Sequence, residues 1–104
     1  MNIVLTGGTG FIGSHFLNQA LTAGHTVCAI RRSPSSKTRI PIAKQPAWLD
    51  AQLDEVTAEE LQGCEVLVHL AAHSVKYPYD SLANCLHWNL MAVLALFEQA
   101  RLAG

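Results

Sequence analysis

Four glycines near the start of the chain have spacings typical of a phosphate-binding turn. Gly8, Gly10 and Gly13 fit G-x-G-x-x-G. With Gly7 in place of Gly8, the related G-x-x-G-x-x-G is also present. An apolar, β-branched run from residue 3 precedes the turn and a helical pattern follows it, so the helix N-terminus could offer its N–H groups to an anion. This order predicts a site for the pyrophosphate of a dinucleotide, in which Gly13 lets the helix pack closely on the strand. The alternative is a tight turn without a ligand.

Two adjacent arginines, Arg31 and Arg32, lie at the end of the predicted second strand. In a dinucleotide fold an acid at this place binds the free 2′-hydroxyl of the adenosine ribose, whereas an arginine accommodates a 2′-phosphate. No acid is near in sequence. Guanidinium groups bind a phosphate through charge-assisted bonds of about 1.5–3 kcal/mol each. We therefore expect NADP(H) as cofactor, with NAD(H) possible; the alternative is a pair of exposed arginines.

Composition and spacing argue against several other classes of site. The net charge of −1 gives no overall attraction to nucleic acid or to an anionic membrane. No P-loop lysine follows the glycines, and the five histidines lack metal-ligand spacing. We expect no signal peptide, because glycines soon interrupt the first apolar run, and no membrane span. The three cysteines are Cys28, Cys64 and Cys85, and they lack C-x-x-C spacing. They indicate reduced thiols in a cytoplasmic protein.

The elements that must position these residues alternate between strands and helices. Helical spacing predicts a helix over residues 11–23, closed by Gly24 in the left-handed conformation. Further strands are predicted at residues 25–30, 47–49 and 65–72. Residues 33–46 carry three prolines and predict a loop or at most one turn of helix. We expect a partial doubly wound α/β sheet of the Rossmann type, with about four parallel strands in the order 3-2-1-4.

The second half of the chain contains a predicted helix cap and a histidine within a predicted strand. Thr57 and Glu60 have the spacing of a capping box, which predicts a short helix over residues 58–62, ending at Gly63. His69 lies in the fourth strand, where we expect a hydrogen-bonded histidine rather than a ligand.

A long helix is predicted over residues 81–103. Nine of its side chains are expected to face the sheet: Leu82, Cys85, Leu86, Asn89, Leu90, Val93, Leu96, Phe97 and Ala100. Trp88, Met91 and Leu94 make the other side apolar as well, so the helix needs a second cover. We expect a partner subunit, giving a homodimer through residues 82–103, or a further portion of the chain.

Three motifs together resemble the extended short-chain dehydrogenase/reductase family, the NAD-dependent epimerase/dehydratases. They are the turn at residues 6–13, the sequence Val68-His69-Leu70-Ala71-Ala72, and Asn89; the resemblance extends over all 104 residues. It implies that the turn binds pyrophosphate, that the acid after the third strand meets the adenine, and that the Ala-Ala turn lies along the cofactor. These roles fall to Gly7, Gly10, Phe11, Ile12 and Gly13, to Asp50 with Ala51, and to Leu70, Ala71 and Ala72. Asn89 would support the active site, and residues 73–76 would border nicotinamide and substrate.

The chain departs from this family in two respects. Arg31 stands where many members have an acid, which implies the NADP-preferring branch. Members also carry a catalytic Tyr-x-x-x-Lys pair, whereas neither Tyr77 nor Tyr79 has a lysine four residues on. We therefore expect residues 1–104 to form a truncated cofactor-binding domain, without the catalytic base and the substrate-binding lobe.

The chemistry that the resemblance implies is hydride transfer between nicotinamide and a sugar carbon, usually of a nucleotide sugar. The expected function is the cofactor-binding half of an NADP(H)-preferring nucleotide-sugar epimerase, dehydratase or reductase. The alternative is a non-catalytic module that binds or senses NADP(H) and acts through a partner interface. Nucleic acid and membrane are not expected partners.

Overall fold

A four-stranded sheet is the central feature of the computed structural model, which describes residues 1–104. Its strands are β1 (Asn2–Thr6), β2 (Thr26–Arg31), β3 (Ala47–Asp50) and β4 (Val66–His69). All neighbouring strands are parallel, in the order β3-β2-β1-β4. The predicted fold class and strand order are confirmed. The carboxyl ends of all four strands therefore lie along one edge, which is where doubly wound sheets bind their ligands.

The first of two compact units comprises residues 1–52 and 63–71 and contains this sheet. Helix α1 (Phe11–Thr22) joins β1 to β2. Gly24 closes it with a φ of +91°, as predicted, because glycine adopts this conformation without a steric penalty. The core consists of apolar side chains from α1 and two central strands: Ile3, Leu5, Leu17, Ala20, Leu21, Val27 and Ala29.

The segment between β2 and β3 contains no helix, in agreement with its three prolines. It is nevertheless fixed to α1 by backbone donors. The N–H of Arg39 donates to the carbonyl oxygen of Thr9 and to Oγ of Ser14, both at 3.1 Å. The N–H of Ala43 donates to Oδ1 of Asn18 at 3.1 Å. The loop therefore lies along the N-terminal half of α1.

Strand β4 is shorter than the predicted strand over residues 65–72. It ends at His69 because β1, its neighbour, ends at Thr6 and the chain turns away at Gly7. Leu70 still donates its N–H to the carbonyl oxygen of Thr6 at 3.2 Å. The residues that follow form no strand.

The second compact unit comprises residues 53–62 and 72–104. Helices α2 (Leu82–Leu86) and α3 (Ala92–Ala103) are joined by a π-helical turn at His87–Met91. The predicted single α-helix is thus interrupted. Two short 3₁₀ turns, Leu53–Glu55 and Glu59–Leu61, lie against this helical segment.

The predicted capping box is confirmed in the second unit. Thr57 donates its N–H to Oε1 of Glu60 at 3.0 Å, and Glu60 donates its N–H to Oγ1 of Thr57 at 3.4 Å. The helix it begins is a single 3₁₀ turn rather than the predicted helix over residues 58–62. A side-chain contact ties this turn to α3, because Ala58 donates its N–H to Oε1 of Gln99 at 2.9 Å.

The predicted buried face of the long helix is wrong at five of its nine positions. Those five side chains are exposed: Leu82, Leu86, Asn89, Leu90 and Phe97. The buried side chains of α3 are Ala92, Val93 and Leu96. Met91 and Leu94 are exposed too. Helical spacing identifies side chains that favour burial, but burial requires an opposing surface, which the described residues do not supply at these positions. None of the helices combines the length and the apolar character needed to span a bilayer.

Candidate functional site

The glycine turn begins at a position where only glycine fits. Gly7 follows β1 directly and has a φ of +76°. A Cβ atom at Gly7 would lie 2.5 Å from the carbonyl carbon of Leu70 and 2.6 Å from the nitrogen of Ala71. The turn after β1 therefore touches the backbone that leaves β4. Three residues predicted for the site, Gly7, Leu70 and Ala71, lie side by side.

Gly13 is required by a still closer contact. A Cβ atom there would lie 1.7 Å from the carbonyl oxygen of Gly7. The helix thus packs on the backbone of the turn itself, whereas we expected it to pack on the strand. Two further bonds fix the turn: Gly10 donates its N–H to the carbonyl oxygen of Gly7 at 3.0 Å, and the buried hydroxyl of Ser14 donates to the carbonyl oxygen of Gly8 at 3.0 Å.

Gly10 differs from these two glycines because its surroundings are open. A Cβ atom there would meet only the carbonyl oxygen of Gly7, at 3.4 Å, an ordinary van der Waals contact. Gly10 is also the N-cap of α1, no side chain caps this helix end, and its first turn contains no acidic residue. The side chains of Phe11 and Ile12 are exposed. An uncapped helix N-terminus beside open space is suited to an anion such as pyrophosphate.

An acidic residue lies beside Arg31, although none is near it in sequence. β2 and β3 pair so that Arg31 is opposite Asp50, and Nε of Arg31 donates to Oδ1 of Asp50 at 2.6 Å. The guanidinium carbon lies 4.5 Å from the centre of the Trp48 ring. Ala51 donates its N–H to the carbonyl oxygen of Arg31 at 2.9 Å. The predicted adenosine-binding residues Arg31, Asp50 and Ala51 are thus brought together, while Arg32 has an exposed side chain next in the chain.

Thr6 is a polar residue of this edge that the sequence prediction missed. It is fully buried, and its Oγ1 accepts from the N–H groups of Leu70 at 3.1 Å and Ala71 at 3.2 Å. Its hydroxyl proton is then available to Nδ1 of His69, 2.6 Å away. His69 is hydrogen-bonded, as predicted, and its burial lowers its pKa, which favours the neutral ring that can accept this proton. A threonine immediately before the glycine turn was the signal available in the sequence.

In the second unit, Asn89 holds the segment after the Ala-Ala turn. Its Oδ1 accepts from the N–H of His73 at 2.7 Å, and its Nδ2 donates to the carbonyl oxygen of His73 at 2.9 Å. Asn89 lies in the π-helical turn. Ala72, which precedes His73, is exposed. The side-chain amide therefore fixes a backbone position and does not itself project as a ligand.

A second contact closes the loop that His73 begins. Nε2 of His73 lies 2.7 Å from Oδ2 of Asp80. Hydrogen bonds from His73, the Asn84 side chain and the N–H of Ser81 lower the pKa of Asp80 to about 2. Ser74 has a φ of +61°, and its Oγ accepts from the N–H of Asp80 at 2.7 Å. The loop is thus held by polar side chains.

The structure contains no group of His, Cys, Asp and Glu side chains arranged to hold a metal ion. The three cysteines form no disulfide. Burial raises the pKa of the Cys64 thiol, which disfavours a reactive thiolate.

Comparison with known proteins identifies the family. A UDP-glucose 4-epimerase of Klebsiella pneumoniae is 30% identical over 117 residues, covering 100% of this chain and 83% of the relative. A sterol-4-alpha-carboxylate 3-dehydrogenase of Dictyostelium discoideum is 31% identical over 72 residues, covering 68% of this chain. Among solved structures, MoeE5 in complex with UDP-glucuronic acid and NAD is similar with a TM-score of 0.82 and 26% identity over 100% of this chain.

The chain spans only part of some of these relatives. The match covers 22% of the Dictyostelium dehydrogenase and 34% of the MoeE5 chain. The model of the NAD dependent epimerase/dehydratase family matches residues 3–104. The glycine turn, the strand order and this match agree, and the chain belongs to the NAD dependent epimerase/dehydratase family of extended short-chain dehydrogenase/reductases.

Proposed function

We propose that this chain binds a nicotinamide dinucleotide and forms the N-terminal, cofactor-binding domain of a nucleotide-sugar epimerase, dehydratase or reductase. The observation that carries the proposal is the open space at Gly10 beside the uncapped N-terminus of α1. Backbone N–H groups there attract an anion, and the absence of a side chain lets a pyrophosphate approach closely.

We propose that the remaining predicted residues also take part in binding the cofactor. The backbone of Gly7, Gly10, Phe11, Ile12 and Gly13 would hold the pyrophosphate. Asp50, Ala51 and the two arginines would face the adenosine, and Leu70, Ala71 and Ala72 would lie along the cofactor. Asn89 would keep the following segment in place through its two bonds to His73. When bound, the nicotinamide would supply hydride transfer; residues 1–104 contain no Tyr-x-x-x-Lys pair.

The choice between NADP(H) and NAD(H) depends on the two arginines. A preference for NADP(H) is supported by their position at the end of β2. It is opposed by the contact of Arg31 with Asp50 at 2.6 Å and by the NAD present in the similar MoeE5 structure. A preference for NADP(H) therefore depends on how strongly the 2′-phosphate is attracted by Arg32 and by the charge of Arg31 that Asp50 does not neutralise.

The substrate class is proposed from the relatives. UDP-glucose 4-epimerase and the MoeE5 complex with UDP-glucuronic acid support a nucleotide sugar for the whole protein. The sterol-carboxylate dehydrogenase shows that a similar domain also serves a different substrate class. A cytoplasmic location is supported by three cysteines that form no disulfide.

Titration of the chain with NADH and NADPH, followed by nicotinamide fluorescence, tests dinucleotide binding. Gly10→Ala adds a methyl group that fits the protein but would occupy the space for the pyrophosphate. We expect it to weaken both nucleotides by about tenfold or more, a loss of about 1.4 kcal/mol, with little change in thermal stability. Gln19→Ala, an exposed change on α1, is the control and should bind like the wild type. Unchanged affinity in Gly10→Ala, or a folded wild type that binds neither nucleotide, would contradict the proposal.

A non-catalytic module that binds NADP(H) and acts through a partner interface is a second candidate. It is favoured by the exposed apolar side chains of α2, the π-helical turn and α3, which could equally form a homodimer: Leu82, Leu86, Leu90, Met91, Leu94 and Phe97. Sedimentation with and without NADPH distinguishes the candidates. Nucleotide-dependent association without turnover in a longer version of the chain favours the module, whereas turnover favours the enzyme domain.

A further inference from the structure

The side chain of Arg31 is occupied by neighbours of its own unit. Besides the 2.6 Å contact of Nε with Asp50, Nη1 lies 3.5 Å from the carbonyl oxygen of Ser36, and the Trp48 ring lies 4.5 Å from the guanidinium carbon. The side chain of Arg31 is only 16% exposed, and that of Asp50 is 36% exposed. Arg31 therefore links β2 to β3 and to the loop that follows β2.

This geometry limits what Arg31 can offer to a phosphate. A guanidinium binds a phosphate bidentately through two parallel N–H groups, either on the edge that contains Nε or on the edge formed by Nη1 and Nη2. Nε already donates to Asp50, and Nη1 on the other edge lies 3.5 Å from the carbonyl oxygen of Ser36. A 2′-phosphate bound at Arg31 would also come close to the negative charge of Asp50. Like charges at short distance repel most strongly where solvent is partly excluded.

We propose that Asp50 controls coenzyme specificity by binding Arg31 and thereby lowering the preference for NADP(H). The chain then binds NAD(H) and NADP(H) with affinities within about tenfold of each other. The proposal rests on the proposed function, because it requires that the adenosine of a dinucleotide lies at the carboxyl ends of β2 and β3. Asp50 is then a positioning residue that withholds a guanidinium from the 2′-phosphate. When the charge of Asp50 is removed, Arg31 becomes available to the 2′-phosphate.

The test compares dissociation constants for NADH and NADPH in the wild type and in Asp50→Asn. We expect the substitution to increase the affinity for NADPH relative to NADH by about tenfold, the effect of one additional charge-assisted contact. The ratio is the readout because a loss of contact between Asp50 and the adenine weakens both nucleotides equally. Glu59→Gln removes the same charge from an exposed residue of the second unit and should leave the ratio within twofold.

Two further variants make the outcome decisive. The double variant Arg31→Ala, Asp50→Asn should lose the increase in NADPH affinity relative to NADH, because that increase comes from the guanidinium of Arg31. A gain that persists in this double variant would overturn the proposal, as would an unchanged ratio in Asp50→Asn. Asp50→Ser repeats the measurement if the asparagine variant does not fold. Failure of the folded wild type to bind either nucleotide would instead contradict dinucleotide binding itself.

Discussion

Leu5 and Leu82 are both leucines of regular secondary structure, but Leu5 is fully buried in β1 and Leu82 is 82% exposed in α2. The same contrast separates the two units. In the first, sheet and α1 cover each other; in the second, the helical segment exposes several large apolar side chains. An apolar pattern thus specifies a buried position only where another element of the described chain lies opposite.

The two units also differ in how their candidate-site segments are held. Around the glycine turn, backbone packs on backbone, so that even one Cβ atom at Gly13 would collide with the carbonyl oxygen of Gly7. The loop after Ala72 is held by exposed side chains, principally Asn89 and Asp80. Backbone contacts tolerate no added atom, whereas exposed polar bonds can be replaced by water. Mutations should therefore have larger effects in the first unit.

The largest effect is expected for Gly13→Ala. Its Cβ atom, 1.7 Å from the carbonyl oxygen of Gly7, forces the turn and the start of α1 apart. We expect a loss of about 3 kcal/mol or more in the free energy of unfolding, measured by urea denaturation. Gly10→Ala is the matched control and should lose much less. Equal stability of the two variants would contradict the close packing of Gly13.

Thr6→Val is expected to have the next largest effect. Valine keeps the shape but leaves the N–H groups of Leu70 and Ala71 and the ring of His69 without the Thr6 oxygen. The expected loss is about 1–3 kcal/mol of unfolding free energy. Thr22→Val, at the exposed end of α1, is the control. A variant as stable as the wild type would show that Thr6 does not hold the end of β4.

A smaller effect is expected for Asn89→Ala in the second unit. The substitution removes both bonds to His73, while alanine improves helix propensity by a few tenths of a kcal/mol. We expect a stability loss of about 1 kcal/mol or less and faster hydrogen exchange at the His73 amide. Asn89→Asp keeps the acceptor for that amide and should retain most of its protection. An unchanged rate of hydrogen exchange at the His73 amide in Asn89→Ala would show that the Asn89 side chain does not hold the His73 backbone.

Acid should affect the two units in different pH ranges. The lowered pKa of His69 means that the folded state disfavours protonation, so its contribution to stability is complete above the ordinary value of 6.5 and is lost as the pH falls below it. Asp80 contributes above its ordinary value of 3.8, and this contribution is lost as the pH falls to about 2. NMR titration of the His69 ring and of the Asp80 carboxyl measures both. A His69 pKa at or above 6.5 would contradict the hydrogen-bond direction derived for Thr6.

Much of the first unit could be predicted from the sequence, because its signals are local. The glycine spacing, the cap at Gly24 and the strand order follow from consecutive residues and from the right-handed connection of parallel strands. The end of β4 could not be predicted, because it depends on where β1 stops pairing. In the second unit the presence of helix was predictable, whereas the π-helical turn and the exposed face were not.

The sequence by itself determined the elements, their order and the glycine turn, since these depend on backbone conformations and periodicities of neighbouring residues. Only the tertiary structure decided which distant side chains meet. Asp50 lies 19 residues from Arg31 and reaches it through the register of β2 and β3. Thr6 meets His69 across 63 residues through the pairing of β1 and β4. Charge and hydrogen bonding act over a few ångströms in space, so their partners are fixed by strand pairing rather than by distance along the chain.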